Sequence, residues 1–391
     1  MPVPASIQEI SQRAEALRDH LIHWANQNSG SNNFAGLAKM HDLLATDFAA
    51  VGEVTSIALP DTRARALRIR FSPEAPRQIL FSGHYDTVYG GDHPFQRCQV
   101  LDNKLLRGPG VADMKGGLLV MLTALQSFAR TPHAERIGGE IILTPDEEIG
   151  SVGSRALLEE AAPRHAFALV FEPARENGNL VRARMGTGIF TARCRGRSAH
   201  AGRAPETGRN AILALAEYLP RADALAKNIP DILLNVGLIS GGAAPNIVPD
   251  LAEAQINIRV ARANDGETVL QQLREAAAPI NAREGFSLEI IGQFNRPPKE
   301  ITAFDESLFG AWQQSAGAFG EKLCWQDVGG GSDGNLLAAV GLPTLDGLGP
   351  VGGELHSPNE YVRLTSLVSR AQVAAYFLHR LAAGEIQLPT S

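Results

Sequence analysis

The stretch FSGHYDT sets His84 and Asp86 two residues apart at the end of the apolar run QILFSG. Four later stretches carry chemistry of the same kind. GPGVADMKGG supplies Asp113, TPDEEIGS supplies Asp146, Glu147 and Glu148, FEP supplies Glu172, and GGELHSPNEY supplies His356. Histidine mixed with carboxylate suits zinc, cobalt or manganese, whereas an all-oxygen set suits magnesium or calcium. Carboxylates gathered in a buried place repel one another unless cations compensate. Two metal ions about 3.5–4 Å apart, sharing one carboxylate and one water, would compensate. In such a site Asp86 would accept a hydrogen bond from the His84 ring nitrogen turned away from the metal, fixing the tautomer. Neighbouring side chains diverge, so one of Glu147 and Glu148 could bind metal while the other faces the water as general base. Each motif alone is weak. A loop histidine beside a solvated aspartate, a solvated acidic turn and a plain strand end before Pro173 give the same letters. The ordered set is what points to a metal centre.

These loops need a scaffold that brings them to one place. Helical spacing is seen at Ile7, Ile10, Ala14, Leu17 and Leu21, and a second helix is predicted from Phe34 to Ala50, stopping at Gly52. Short strands are predicted at Ala66–Phe71, Gln78–Ser82 and Glu140–Leu143 and in AFALVFEP. Helices are predicted at Lys115–Phe128, Arg155–Glu160 and Thr365–Leu381. Apolar strands separated by helices predict an α/β fold with a mostly parallel sheet covered on both faces. In open sheets of this kind sites form at the carboxyl ends of strands, and these stretches fall at the ends of predicted strands or in the loops after them.

The pattern changes near Arg184. GIFTARCRG, NAILALAEYL, ILLNVGLIS, AEAQINIRV, GETVLQQLREAAAPI and SLEIIGQF read strand, helix, strand, strand, helix, strand, the ferredoxin-like order. Pro297-Pro298 follows as a linker. The expected organisation is a discontinuous catalytic domain, residues 1–183 and 296–391, interrupted by a smaller α+β domain, residues 184–295.

A net charge of −6 with 20% charged residues leaves no basic footprint for nucleic acid. No apolar run approaches the roughly 18 residues of a membrane span. The start MPVPASIQEISQRAE has no basic stretch followed by an apolar core, so no secretory signal is expected. Cys98, Cys194 and Cys324 are odd in number and scattered, which fits a reducing cytoplasm better than a disulfide framework.

HYDT, GPGVADMKGG, TPDEEIGS, FEP, GRSAHAG and the late LHS resemble, in order, the pattern of metallopeptidase family M20 across almost the whole chain. The glutamate carboxypeptidase branch is the nearest in look, through EEIGSVGSR, SAHAGRAPETGRNA and GGGSDGN. The resemblance implies two zinc ions per subunit, with cobalt or manganese compatible with the same ligands. Asp113 would bridge them, with Glu148 and His356 on one and His84 and Glu172 on the other. Glu147 would be the general base and Asp86 the support of His84. A non-proline cis peptide is expected just after Asp113. His200 would come from the partner subunit of a homodimer formed through the small domain and stabilise the oxyanion, although GRSAHAG on its own favours a satisfied surface histidine. Asn246 and Arg259 would hold a substrate carboxylate, since an arginine fork grips a carboxylate through paired hydrogen bonds. An exposed strand arginine paired with an acid is the plain alternative for Arg259. Gly329 to Gly331, before Ser332 and Asp333, could present N–H groups to an anion or be a flexible turn. Closure of the small domain over the large one is expected to exclude water.

The implied activity is hydrolysis of an amide bond by a metal-bound hydroxide, releasing a C-terminal, glutamate-like amino acid from peptides or N-acyl amino acids. A deacylase of the acetylornithine deacetylase or succinyl-diaminopimelate desuccinylase type would use the same chemistry. An inactive binding protein has no need of Glu147, and a purely structural dimer would hold no stoichiometric zinc. Neither a nucleic acid nor a membrane is expected as a partner.

Overall fold

A computed structural model describes residues 2–60 and 62–389. The chain divides into two compact units, Met1–Arg182 with Ile301–Val328 and Ser332–Ser391, and Ala183–Glu300 with Gly329–Gly331. The smaller unit therefore runs a few residues past 295 and takes in the glycine loop.

In the larger unit six strands form one sheet, in the order Glu53–Ala58, Arg65–Phe71, Ile137–Thr144, Arg77–His84, Ala168–Val170, Thr344–Leu345. The first two pairings are antiparallel and the remaining three parallel. The polar edge strand Glu53–Ala58 (EVTSIA) lacks the apolar run that marks the inner strands, and sequence reading missed it. The inner strands read as continuous apolar runs because both faces are covered. Leu80, Ile142, Ala168 and Val170 pack on Leu157, Leu158, Leu336 and Leu337 from the helices Arg155–Ala161 and Asp333–Ala339. Their neighbours Ile79, Phe81, Ile141, Leu143 and Leu169 point the other way, into the main core with Leu118, Leu122, Trp312 and Phe377. The first helical segment is broken by a 3-10 turn at Glu9–Arg13, so that the regular helix is Ala14–Ala25.

Register brings the strand ends level. His84 pairs with Thr144, and Ser82 with Val170. The turn carrying Glu147 and Glu148, the segment carrying Glu172 and His84 itself thus leave the sheet at the same edge. The helix Lys115–Phe128 is buried at every residue except Gln126, as expected of a helix apolar all round. Its start depends on two glycines. A Cβ at Gly116 would lie 2.2 Å from the Val111 carbonyl oxygen, and one at Gly117 would lie 1.9 Å from that of Phe171. The glycine pair lets the helix that follows Asp113 pack directly on the strand end that leads to Glu172.

The smaller unit is a four-stranded antiparallel sheet in the order Ile232–Gly241, Leu251–Val260, Gly186–Arg195, Ser287–Arg296. Phe190, Ala192, Cys194, Ala254, Ile256 and Ile258 alternate onto one face, where Leu215, Tyr218, Leu273 and Ile280 of the helices Ala211–Lys227 and Ala263–Asn281 cover them. Among the described residues, no helix is long and apolar enough to cross a membrane.

Gly117→Ala is expected to cost about 1–3 kcal/mol, because the added methyl cannot fit against a main-chain oxygen. Denaturant unfolding measures this, and bound metal per chain should fall with it as Glu172 is pushed away from Asp113. Unchanged stability and metal content would mean that the helix start can shift freely.

Candidate metal centre

His84 is the last residue of its strand and is buried. Its Nδ1 lies 3.1 Å from the main-chain oxygen of Asp86 and 3.3 Å from Asp86 Oδ1. A proton on Nδ1 satisfies both, which leaves the lone pair on Nε2. That Nε2 faces Asp113 Oδ1 at 3.0 Å and Glu172 Oε1 at 3.7 Å. The other oxygen of Asp113 points elsewhere: Oδ2 lies 3.4 Å from His356 Nε2, which is 3.2 Å from Glu148 Oε2. Two donor groups result, His84–Asp113–Glu172 and Asp113–Glu148–His356, each with its ligand atoms within 4.8 Å of one another. Asp113 is common to both and turns one oxygen to each.

The peptide between Asp113 and Met114 is cis, and Met114 Sδ accepts the His84 N–H at 3.2 Å. Asp86 does more than orient His84. Fully buried, it also accepts the Ser31 hydroxyl at 2.7 Å, the Glu147 N–H at 3.1 Å and the Glu148 N–H at 3.2 Å. One carboxylate thus joins the strand end to the Glu147–Ile149 turn and holds buried Glu147 beside the donor groups. Asp146 is a brace rather than a ligand. It accepts the N–H groups of Gly153 and Ser154, at 2.7 and 3.2 Å, and the Ser154 hydroxyl. Asp333 accepts the hydroxyls of Thr144 and Ser151 and ties down both ends of the same turn. Glu360 is the residue that sequence reading passed over. It is buried against the loop that ends in Asp113, and its only signal was an acid in LHSPNEYV, four positions after His356.

The electrostatics call for positive charge. Burial opposes a charged His84, but hydrogen bonds with Asp113 and Asp86 and the fields of Glu172 and Glu147 raise its pKa well above the ordinary value. Hydrogen bonds with Asp113 and Glu148 push His356 up to about 11. Burial raises Asp113, yet hydrogen bonds with the two histidines outweigh it and hold the carboxyl well below its usual range. Burial and the charge of Asp113 push Glu148 the other way. The acids draw protons onto their own histidines, and divalent cations would meet the same demand with both rings neutral. The donor set therefore fits two metal ions.

His200, Asn246 and Arg259 lie in the smaller unit. His200 is exposed, and its Nδ1 accepts the Gly202 N–H at 3.1 Å, so a neutral ring carries its proton outward on Nε2. The Ala201 N–H donates to the Asn246 carbonyl at 3.0 Å, which brings the loops of His200 and Asn246 side by side. Arg259 is half-buried and donates to two neutral acceptors, Asn257 Oδ1 at 3.2 Å and the Gly329 carbonyl, rather than to an acid. The loop Gly329–Gly331 is held by its carbonyls, since Arg184 reaches those of Gly330 and Gly331 at 3.2 and 3.4 Å.

A model of peptidase family M20/M25/M40 matches residues 80–380, which takes in both donor groups. The chain belongs to that family. Carboxypeptidase G2 of Pseudomonas sp. (strain RS-16) is 28% identical over 319 residues, 79% of this chain and 75% of that protein. Succinyl-diaminopimelate desuccinylase of Alkalilimnicola ehrlichii is 29% identical over 322 residues, 78% of this chain and 84% of the relative. Aminopeptidase PepT of Bacillus cereus shares the fold, with a TM-score of 0.79 at 24% identity over 94% of this chain and 99% of that one. This M20 member is a hydrolase of amide bonds, in a family that includes peptidases and deacylases.

Equilibrium dialysis against zinc, followed by elemental analysis, is expected to find two ions per chain. His356→Ala should lose one, and Asp113→Ala should lose both because each group shares that carboxylate. Retention of both ions by Asp113→Ala would refute the bridging geometry.

Proposed function

We propose that this protein is a di-zinc amide hydrolase of the glutamate carboxypeptidase type, releasing a C-terminal, glutamate-like amino acid from peptides or N-acyl amino acids. The observation that carries the reading is the pair of donor groups sharing Asp113, with Glu147 held next to them by the Asp86 carboxylate. Bound metal would lower the pKa of a water and polarise the scissile carbonyl. Glu147 takes the proton of the attacking water and returns it to the leaving amine. Asp86 keeps the His84 lone pair directed at Asp113 and Glu172 and fixes the backbone from which Glu147 projects. His200 of the partner subunit donates its outward Nε2–H to the oxyanion. Arg259 and Asn246 grip the free carboxylate, and the neutral partners of Arg259 leave its charge available for that task.

Similarity to carboxypeptidase G2 supports the carboxypeptidase reading. A second reading, removal of an acyl group from an N-acyl amino acid, draws comparable support from the desuccinylase at 29% identity. A homodimer through the smaller unit is supported by its edge strand Ile232–Gly241, where Leu233, Leu238 and Ile239 are 56%, 64% and 62% exposed. Such an edge offers open main-chain groups and apolar side chains to a second copy. Three free cysteines support a reducing, cytoplasmic setting.

A hydrolysis screen read by mass spectrometry tests the substrate. Peptidyl and N-acyl glutamates are expected to release glutamate or a similar amino acid in a chelator-sensitive way, whereas selective loss of acetyl or succinyl groups would move the protein to the deacylase reading. Glu147→Gln should keep its metal and lose turnover by about 10²–10⁴-fold. Near-normal turnover would remove Glu147 from the role of base. Replacing Leu238 and Ile239 together by lysine should halve the mass seen by light scattering and lower turnover while bound metal stays constant. A dimer that survives both lysines would place the contact elsewhere.

A further inference from the structure

Glu360 is 1% exposed and none of the proton or ligand roles above involves it. Four donors converge on its carboxylate. Oε1 accepts the N–H groups of Ala112 and Asp113, at 2.9 and 3.1 Å, and Oε2 accepts the Gly110 N–H at 3.1 Å and the Tyr89 hydroxyl at 2.9 Å. A buried carboxylate normally costs free energy, and three main-chain donors with a phenol offset that cost only if the loop holds this shape. The delivery is equally specific. Glu360 precedes the strand Tyr361–Arg363, which pairs antiparallel with Leu105–Arg107, and its carbonyl accepts the Gly108 N–H at 3.1 Å. The β-ladder between these strands thus runs straight into the carboxylate clamp on the next turn of the loop. His356 sits four residues upstream, and the Tyr89 hydroxyl is also 2.8 Å from the Ser357 carbonyl. One segment carries a donor of the second group and grips the main chain of the residue that both groups share.

We propose that Glu360 is a positioning residue: its carboxylate sets the orientation of Asp113 and the spacing of Asp113 from His356, and so determines how tightly both metal ions are held. This rests on the two-metal reading of the site. Only a carboxylate serves, because all the convergent groups are donors. A glutamine has one oxygen and one NH2, so whichever way it flips, at least one backbone N–H meets another donor. The milder flip turns the NH2 to Gly110 and lets the Tyr89 proton go wholly to Ser357. Partners behind metal ligands typically change metal affinity or activity by about 10–100-fold when altered.

Zinc affinity of the intact protein, measured by competition with a chromophoric chelator, tests the proposal. Glu360→Gln is expected to weaken zinc binding by about 10–100-fold, with turnover recovering as zinc is raised. Tyr89→Phe, which removes one of the four donors and keeps the ring, should shift affinity the same way by less. It keeps the test open should Glu360→Gln fold poorly. Thermal melting of the metal-free proteins separates this role from general support, since a merely structural role lowers melting without changing the affinity of the folded protein. Wild-type affinity in both variants would overturn the proposal. A wild-type protein that binds no stoichiometric zinc would instead overturn the two-metal reading, and the role of Glu360 with it.

Discussion

Like-charge repulsion at one end of a parallel sheet is the constraint on which the rest of this molecule turns. Asp86, Asp113, Glu147 and Glu172 are all buried there, with the Glu148 side chain nearly so. Water cannot screen them, and among the described residues His84 and His356 are the histidines that face them. Hydrogen bonds with these acids, and their charge, draw both His84 and His356 toward the protonated state. Metal ions held by the two donor groups that share Asp113 would answer that demand for positive charge.

Hydrogen bonds from buried carboxylates tie the turns and loops around the donor groups to the sheet. Asp86 fastens the Glu147–Ile149 turn to the end of the His84 strand. Asp333 and Asp146 brace the same turn from behind. Glu360 grips the loop before Asp113, while Gly116 and Gly117 let the following helix close onto the Glu172 strand. Carboxylates recur in these supporting places because backbone N–H groups at turn and helix starts are donors without partners, and an acid accepts several at once. A layer of acids therefore stands behind the acids that face the metal positions.

The smaller unit has a different logic. One face of its sheet is closed by two helices, and its edge strand keeps large apolar side chains in solvent. Arg184 and Arg259 turn toward main-chain carbonyls of the Gly329–Gly331 loop, so the loop is tied by its oxygens.

The sequence by itself determined the kinds of donor, their order along the chain and the strand ends on which they stand. Those follow from local rules: apolar runs make buried strands, and polar residues at their carboxyl ends become the loops of an open sheet. His84, Asp86, Glu147, Glu148 and Glu172 were legible for that reason, whereas Asp113 and His356 were legible from their motifs and stand in loops after strands of a separate small sheet. Three features were not. That Asp86 holds the Glu147 and Glu148 amides depends on residues about sixty positions apart, and that Glu360 holds the Asp113 loop depends on contacts across about two hundred and fifty. The reason for the glycine pair was hidden too, since it lies in carbonyl oxygens of Val111 and Phe171. Main-chain donors and acceptors look alike in every sequence. Only the tertiary structure decides which acid meets them, because that depends on strand register and loop path rather than on residue type.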